Sequence, residues 1–263
     1  MNDLIDIGLN LMHSSFKKDR VEIIEEAKKV GVNQFIITGT NIHSSHMARE
    51  YASKYPNTLF STSGVHPHDA KTCNGHTIFE LEKIAKDDCV VAIGECGLDY
   101  NRNFSPQNVQ RKWFEAQVEL AETLDMPLFL HEREAHDDLY NILSKHDQVI
   151  EKSVVHCFTG TKEEAQNYID LGCYIGVTGW ICDMKRGGNL QDAVKVIPDD
   201  KLMIETDAPF LIPKNFDKKP KRNRNEPKYL PHILKTIAHY KDSNAENLAR
   251  QVTANTKKFF NIN

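Results

Sequence analysis

Short apolar runs recur along this chain, and most are followed by a longer stretch whose apolar residues return every three or four positions. Residues 4–8, 34–39 and 59–65 are such runs. Four more lead directly into a polar side chain: 90–94 into Glu95, 126–130 into His131, 153–155 into His156 and 201–206 into Asp207. A further run spans 173–178. Runs of this length, rich in branched residues, read as strands buried on both faces, the habit of parallel sheets. The intervening pattern predicts helices over 16–30, 44–54, 77–86, 105–124, 135–145, 162–171 and 190–196, with two more over 229–240 and 245–259. In the first of these, Val21, Ile24 and Ala27 recur at i, i+3, i+6, and Gly31 stands where a helix C′ residue is expected.

Eight strand–helix repeats in 263 residues predict an α/β protein, a single closed (β/α)8 TIM barrel rather than an open doubly wound sheet. No internal repeat or low-complexity linker interrupts the rhythm, so residues 1–263 are expected to form one domain. The least regular stretch, 209–227, is rich in Pro, Lys and Asn and follows the eighth strand directly.

The carboxyl ends of parallel strands converge on one rim, where barrels build their active sites. Glu95, His131, His156 and Asp207 all fall there. One such residue is an ordinary solvated strand end, but four after the fourth, fifth, sixth and eighth strands point to a divalent-metal site of a hydrolase. Mixed imidazole and carboxylate donors suit Zn, Mn, Fe or Mg. An ion with an open position can acidify water or polarise a phosphoryl oxygen. Asp207 is a candidate ligand, general base or both, and Glu95 a candidate ligand that also serves catalysis.

Further groups cluster at the same rim. His66 and His68 flank Pro67 after the third strand, and His66 is a candidate contact to a substrate phosphate; the alternative is a loop histidine bonded to backbone. Asp99 and Arg102 follow Glu95, either orienting substrate or pairing with each other. The segment Lys214, Lys218, Lys219, Lys221, Arg222, Arg224 carries six cations in eleven residues beside Asp207. Such a patch can hold a phosphodiester backbone, with Arg222 and Arg224 as candidate contacts, and Trp180, Phe210 and Phe216 can stack on bases. The plain alternative for a charge run is a solvated loop. The six cysteines form no C-x-x-C pair and sit mostly in or beside apolar runs, so reduced thiols are expected. Strand alternation directs Cys96 and Cys157 away from the face of Glu95 and His156.

A formal net charge of −4 excludes a protein coated in positive field, so any nucleic-acid contact must be local. No apolar run approaches the ~18 residues of a membrane span, and the first residues show neither a basic n-region nor a long apolar h-region. A cytoplasmic location and no membrane partner are expected, and a monomer, since nothing in the sequence demands an oligomer.

Taken together, Gly64-Val65-His66-Pro67-His68, Ile93-Gly94-Glu95-Cys96-Gly97-Leu98-Asp99, Val155-His156-Cys157-Phe158-Thr159-Gly160 and Ile204-Glu205-Thr206-Asp207-Ala208-Pro209 resemble the TatD family of metal-dependent deoxyribonucleases. The resemblance runs from Asp6-Ile7-Gly8-Leu9-Asn10 to Arg224-Asn225-Glu226-Pro227, essentially the whole chain. It implies a TIM barrel of the amidohydrolase-like, metal-dependent hydrolase type. It also implies Glu95, His131 and His156 as metal ligands and Asp207 as a ligand or catalytic acid–base group. The activity it implies is Mg-supported 3′–5′ exonucleolytic cleavage of single-stranded DNA, with RNA as a further substrate, in DNA repair or nucleic-acid turnover.

One segment departs from the wider family, in which Asp-x-His-x-His follows the first strand and both histidines bind metal. Here Gly8 and Asn10 stand at those positions. Glycine offers no ligand and asparagine only a neutral oxygen, so the first of two metal positions is expected to be weak, oxygen-rich or filled only with substrate phosphate present. That favours Mg over Zn, with Mn also possible chemically, and fits the bacterial branch of the family. A competing reading keeps the metal but changes the bond to an amide, lactone or aminoacyl ester of a small molecule, since a barrel does not decide its chemistry. A third, drawn from Gly8 and Asn10, is a protein that holds metal without turnover. Removing the cationic loop separates the first two: it would cripple a nuclease and barely affect a small-molecule hydrolase.

Overall fold

The computed structural model describes residues 3–218, 220 and 222–263. Eight strands follow one another in sequence order: β1 (Leu4–Leu9), β2 (Val32–Ile37), β3 (Leu59–Ser63), β4 (Val90–Asp99), β5 (Leu128–Arg133), β6 (Ser153–His156), β7 (Tyr174–Val177) and β8 (Leu202–Ile204). They pair in that order, each parallel to the next. The ring closes where β1 meets the chain leaving β8: Leu9 bridges Ala208, the Asp207 amide donates to Gly8 (2.8 Å), and the Asn10 amide donates to Ala208 (2.9 Å). The nearly closed barrel is the one its strand–helix rhythm predicts.

Helices α1 (Arg20–Lys28), α2 (Ile42–Ala52), α3 (Thr77–Ala85), α4 (Gln107–Leu124), α5 (His136–Leu143), α6 (Asp147–Ile150), α7 (Lys162–Leu171), α8 (Gly188–Ala193), α9 (Leu230–Tyr240) and α10 (Ala245–Phe260) accompany the strands. Two boundaries depart instructively from the sequence expectation. The first helix starts late because Ser14–Phe16 form a 3-10 turn with Phe16 fully buried, and Arg20 ties back to the Leu11 carbonyl (2.9 Å). Strand β4 continues past Glu95 because Gly97, Leu98 and Asp99 pair with His131, Glu132 and Arg133, extending β5 as well. The short α6 was not signalled by any periodicity.

Apolar residues separate into two clusters. The larger lies where strands meet helices, with Leu130, Val155, Ile175 and Ile204 among Leu81, Phe114, Leu139 and Ile233. The smaller gathers Ile7, Ile36, Val91, Phe129, Val154 and Met203 with Phe259 and Phe260 from the end of α10. Alternation explains much of what stands above it: Phe129 shares a strand face with His131, Val154 with His156, and Met203 with Glu205, while Asp207, past the end of β8 at a left-handed φ of 53°, reaches the same cavity outside the alternation. The polar site therefore rests on a packed interior rather than an open pore.

A candidate metal centre at the carboxyl rim

One carboxylate oxygen collects three imidazoles. Glu95 Oε1 lies 2.8 Å from His156 Nε2, 2.9 Å from His131 Nδ1 and 3.3 Å from His66 Nε2. His66 Nε2 and His131 Nδ1 face each other at 3.1 Å, so His66, Glu95 and His131 present donor atoms close enough together to hold one ion. Each of the other two histidines is gripped from behind by a second carboxylate. His131 Nε2 meets Asp99 Oδ2 (3.3 Å), and His156 Nδ1 meets Glu205 Oε2 (3.1 Å). Asp99 also takes His68 Nε2 (2.7 Å) and the Arg102 amide (2.7 Å). Asp207 completes the wall, with Oδ1 accepting from Asn10 Nδ2 (2.8 Å).

Hydrogen bonding distinguishes His66 from its neighbours. Its Nδ1 accepts the His68 amide proton (3.0 Å), and burial lowers its pKa to about 4, so at neutral pH it is uncharged with its proton on Nε2. In that tautomer its Nε2 is a hydrogen-bond donor. His66 thus points an N–H at the Glu95 oxygen, and could equally give it to an anion in the cavity. His131 behaves oppositely: burial opposes its charge, but hydrogen bonds to Asp99 and Glu95 carry it up to about 9. His156 is also raised, against burial, by Glu95 and Glu205. Glu95, despite burial, is held well below the usual carboxylate range, chiefly by His156. Burial pushes Asp207 the other way, to about 7.

These residues line a cavity of about 1290 Å³. Its walls also carry Arg102, Arg133 and Arg186, and the half-exposed rings of Phe104 and Phe210. Two guanidiniums lie over the Trp180 ring, Arg186 at 4.5 Å and Arg133 at 5.6 Å from its centre. A second cavity of about 620 Å³ adjoins it, sharing Trp180, Arg186 and Leu211 and reaching Lys214, Phe216 and Arg222.

The structure brings together Glu95, His131, His156, Asp207 and His66, as their positions at strand ends suggest. It does not bring Arg222 and Arg224 into that cavity. Both turn toward α1: Arg222 pairs with Asp19 (2.7 Å) and Glu22 (3.3 Å), and Arg224 with Asp19 (2.5 Å) and Glu226 (3.1 Å) while covering Phe16. Acids at the start of α1 outcompete solvent for these guanidiniums. Lys219 and Lys221 lie outside the described residues. Cys157 also differs from expectation: its backbone takes a left-handed φ of 47°, which breaks the alternation and sets it in the cavity wall, its thiol pushed up by burial. The six cysteines are free, as expected. Glu205, Arg133 and Arg186 were missed by sequence reasoning. Arg133 is two residues beyond His131 on the same strand face, a signal that could have found it.

A sequence profile described as "TatD related DNase" matches residues 5–261. The chain belongs to this family. Curated members named "3'-5' ssDNA/RNA exonuclease TatD" from Escherichia coli (strain K12) and Citrobacter rodentium are each 46% identical over 98% of this chain, covering 99% and 98% of their own lengths. Among solved structures, a TatD homologue from Escherichia coli K12 superposes with a TM-score of 0.90 at 26% identity, covering 99% of both chains. A TatD family hydrolase from Entamoeba histolytica gives 0.88 at 28%, covering 98% of both. A phosphotriesterase homology protein from Escherichia coli, solved with phosphate in its active site, shares the fold at a TM-score of 0.70 and 15% identity, covering 98% of this chain and 99% of its own. Family and donor set together make this a divalent-metal site. No helix among the described residues is long and apolar enough to cross a membrane.

Proposed function

We propose that this protein is a metal-dependent nuclease that removes nucleotides from the 3′ end of single-stranded DNA, and of RNA, with Mg as the working ion. The observation that carries this is the convergence of His131 Nδ1 and His156 Nε2 on Glu95 Oε1, in a cavity whose walls hold guanidiniums and exposed aromatic rings. The naming of the 46% identical relatives supplies the substrate and the polarity.

The residues present fit a divalent cation. Each ligand histidine hands one N–H to an outer carboxylate and aims its other nitrogen at the same point, the arrangement that orients imidazoles toward metal. Glu95, His131 and His156 would hold the ion, with Asp207 beside them. When bound, it supplies charge that acidifies water and polarises a phosphoryl oxygen. Around it, Asp207 is the group suited to move the proton, since its carboxyl lines the cavity beside these residues and Asn10 fixes one of its oxygens. His66 is placed to donate its Nε2 proton to a phosphate oxygen. Arg102, Arg133 and Arg186 offer charge to the backbone, and Phe104 and Phe210 offer faces to bases. Arg222, at the edge of the adjoining cavity, contacts the strand farther from the cleaved end; Arg224 braces the loop that carries it.

We further assign it to DNA repair or nucleic-acid turnover in the cytoplasm, acting as a monomer. The test is digestion of 5′-labelled single-stranded DNA and RNA with Mg, Mn or Zn, beside a panel of small amides and aminoacyl esters. The proposal expects a chelator-sensitive ladder shortening from the 3′ end. Turnover of the small substrates with intact oligonucleotides would overturn it in favour of the amidohydrolase reading.

A further inference from the structure

The space where a side chain on residue 8 would lie is filled by Glu205. A Cβ built on Gly8 would overlap Glu205 Oε2, and one built on Gly176 would come within 2.7 Å of Glu205 Oε1. Two strands flanking β8 thus each give up a side chain at the level of one carboxylate, which is completely buried. An anionic group without solvent needs partners, and Glu205 has two. Oε1 accepts the Cys157 amide proton (2.5 Å), and Oε2 faces His156 Nδ1 (3.1 Å). With Oε1 occupied by the backbone, the remaining oxygen can only accept from His156. That keeps a proton on Nδ1 and leaves Nε2, which faces Glu95 Oε1 at 2.8 Å, as the nitrogen free to give up its proton to an ion.

We propose that Glu205 is the positioning residue of the metal centre, and that Gly8 is required because any side chain there would displace the carboxylate that orients His156. This rests on the metal reading of the site. It makes a side chain at position 8 and a seated Glu205 mutually exclusive. A residue introduced at position 8 as an extra ligand would therefore disorder an existing one.

Two substitutions separate the idea from a merely structural role. Glu205→Gln keeps the shape, but its oxygen stays with the Cys157 amide and its NH2 turns to His156, reversing which ring nitrogen carries the proton. Gly8→Ala leaves Glu205 chemically intact and displaces it. The experiment loads wild type, Glu205→Gln, Glu205→Ala, Gly8→Ala and the Gly8→Ala/Glu205→Ala double variant with Zn, measuring affinity by competition with a chromogenic chelator. Nitrogen-15 histidine spectra of each loaded protein report the proton on His156 Nδ1, assigned by its loss in His156→Ala.

The expected result is affinity about 10–100-fold weaker in Glu205→Gln and in Gly8→Ala, the range for lost partners of a ligand histidine. The Nδ1 proton signal disappears in both, and Gly8→Ala adds nothing once Glu205 is alanine. Wild-type affinity with a retained Nδ1 proton in Glu205→Gln overturns the proposal. So does a Gly8→Ala loss that persists undiminished in the Glu205→Ala background. Failure of the metal reading looks different: wild type itself takes up no Zn, and the proposal falls with it.

Discussion

Asp6 allows a quantitative test of how the barrel is closed beside the site. Its carboxyl is fully buried at the seam between β1 and the end of β8, accepting the Thr206 amide proton (2.9 Å) and the Thr206 hydroxyl proton (2.5 Å). Burial, which outweighs these bonds, raises its pKa from 3.8 to about 8. The folded chain therefore keeps a proton that the unfolded chain releases, and stability falls as pH rises. The cost is absent below about pH 4, grows between about pH 4 and pH 8, and is complete above that. At 1.36 kcal/mol per pH unit it reaches about 4 kcal/mol at pH 7, a large part of a typical domain's stability. Asp6→Asn replaces the protonated acid by a permanently neutral group of the same shape, whose oxygen can still accept from the Thr206 amide. Guanidinium unfolding of both proteins in chelator, from about pH 4 to pH 8.5, reads the difference directly. Asp6→Asn is expected to be near wild type, or weaker by about 1 kcal/mol, at the acid end. It then gains on wild type by about 4 kcal/mol at neutral pH. A difference that stays constant with pH would refute the reasoning, because it would mean Asp6 titrates alike in both states.

Other expectations follow from the same geometry. Because His131, carried up to about 9, and His156, also raised, are both protonated at pH 7, metal uptake should release about two protons, seen as a buffer-dependent heat in calorimetry; a buffer-independent heat contradicts this. Asp207→Asn should retain metal affinity to within about tenfold yet lower kcat by about 100-fold or more, since the lost function is proton movement; an unchanged kcat would remove Asp207 from that role. Phe210→Ala should weaken single-strand binding by about 1–3 kcal/mol without changing metal affinity, measured by fluorescence anisotropy. Arg102→Ala should flatten the salt dependence of that binding by about one unit of log–log slope. Arg224→Ala, by contrast, should lower Tm while leaving the slope unchanged, because Asp19 and Glu226 already occupy it.

The barrel was legible because parallel strands covered on both faces leave unbroken apolar runs, and the four metal-compatible residues were legible because each ends such a run. Where the sequence misled, contacts between distant segments decided the outcome. β4 was read as ending at Glu95, since nothing local says that Gly97 to Asp99 pair with β5. That extension is what turns Asp99 toward His131. Glu205 looked like part of the approach to Asp207, and only Gly8 and Gly176, on the two strands flanking β8, reveal the pocket made for it. The cationic segment was read by charge density alone. Charge density does not say that Asp19 and Glu22 lie within reach, nor that Arg102, Arg133 and an Asp183-paired Arg186 would be the cations lining the cavity.

The central claim is that the cluster centred on Glu95 binds a divalent ion and that this ion serves phosphodiester cleavage. The most direct test measures Mn uptake and release of the 3′-terminal nucleotide from 5′-labelled single-stranded DNA in parallel, for wild type, Glu95→Ala and His156→Ala. The account predicts that wild type does both, with cleavage saturating over the same Mn range as uptake, and that both variants remain folded but lose uptake and cleavage together. Undiminished cleavage by either folded variant would contradict it.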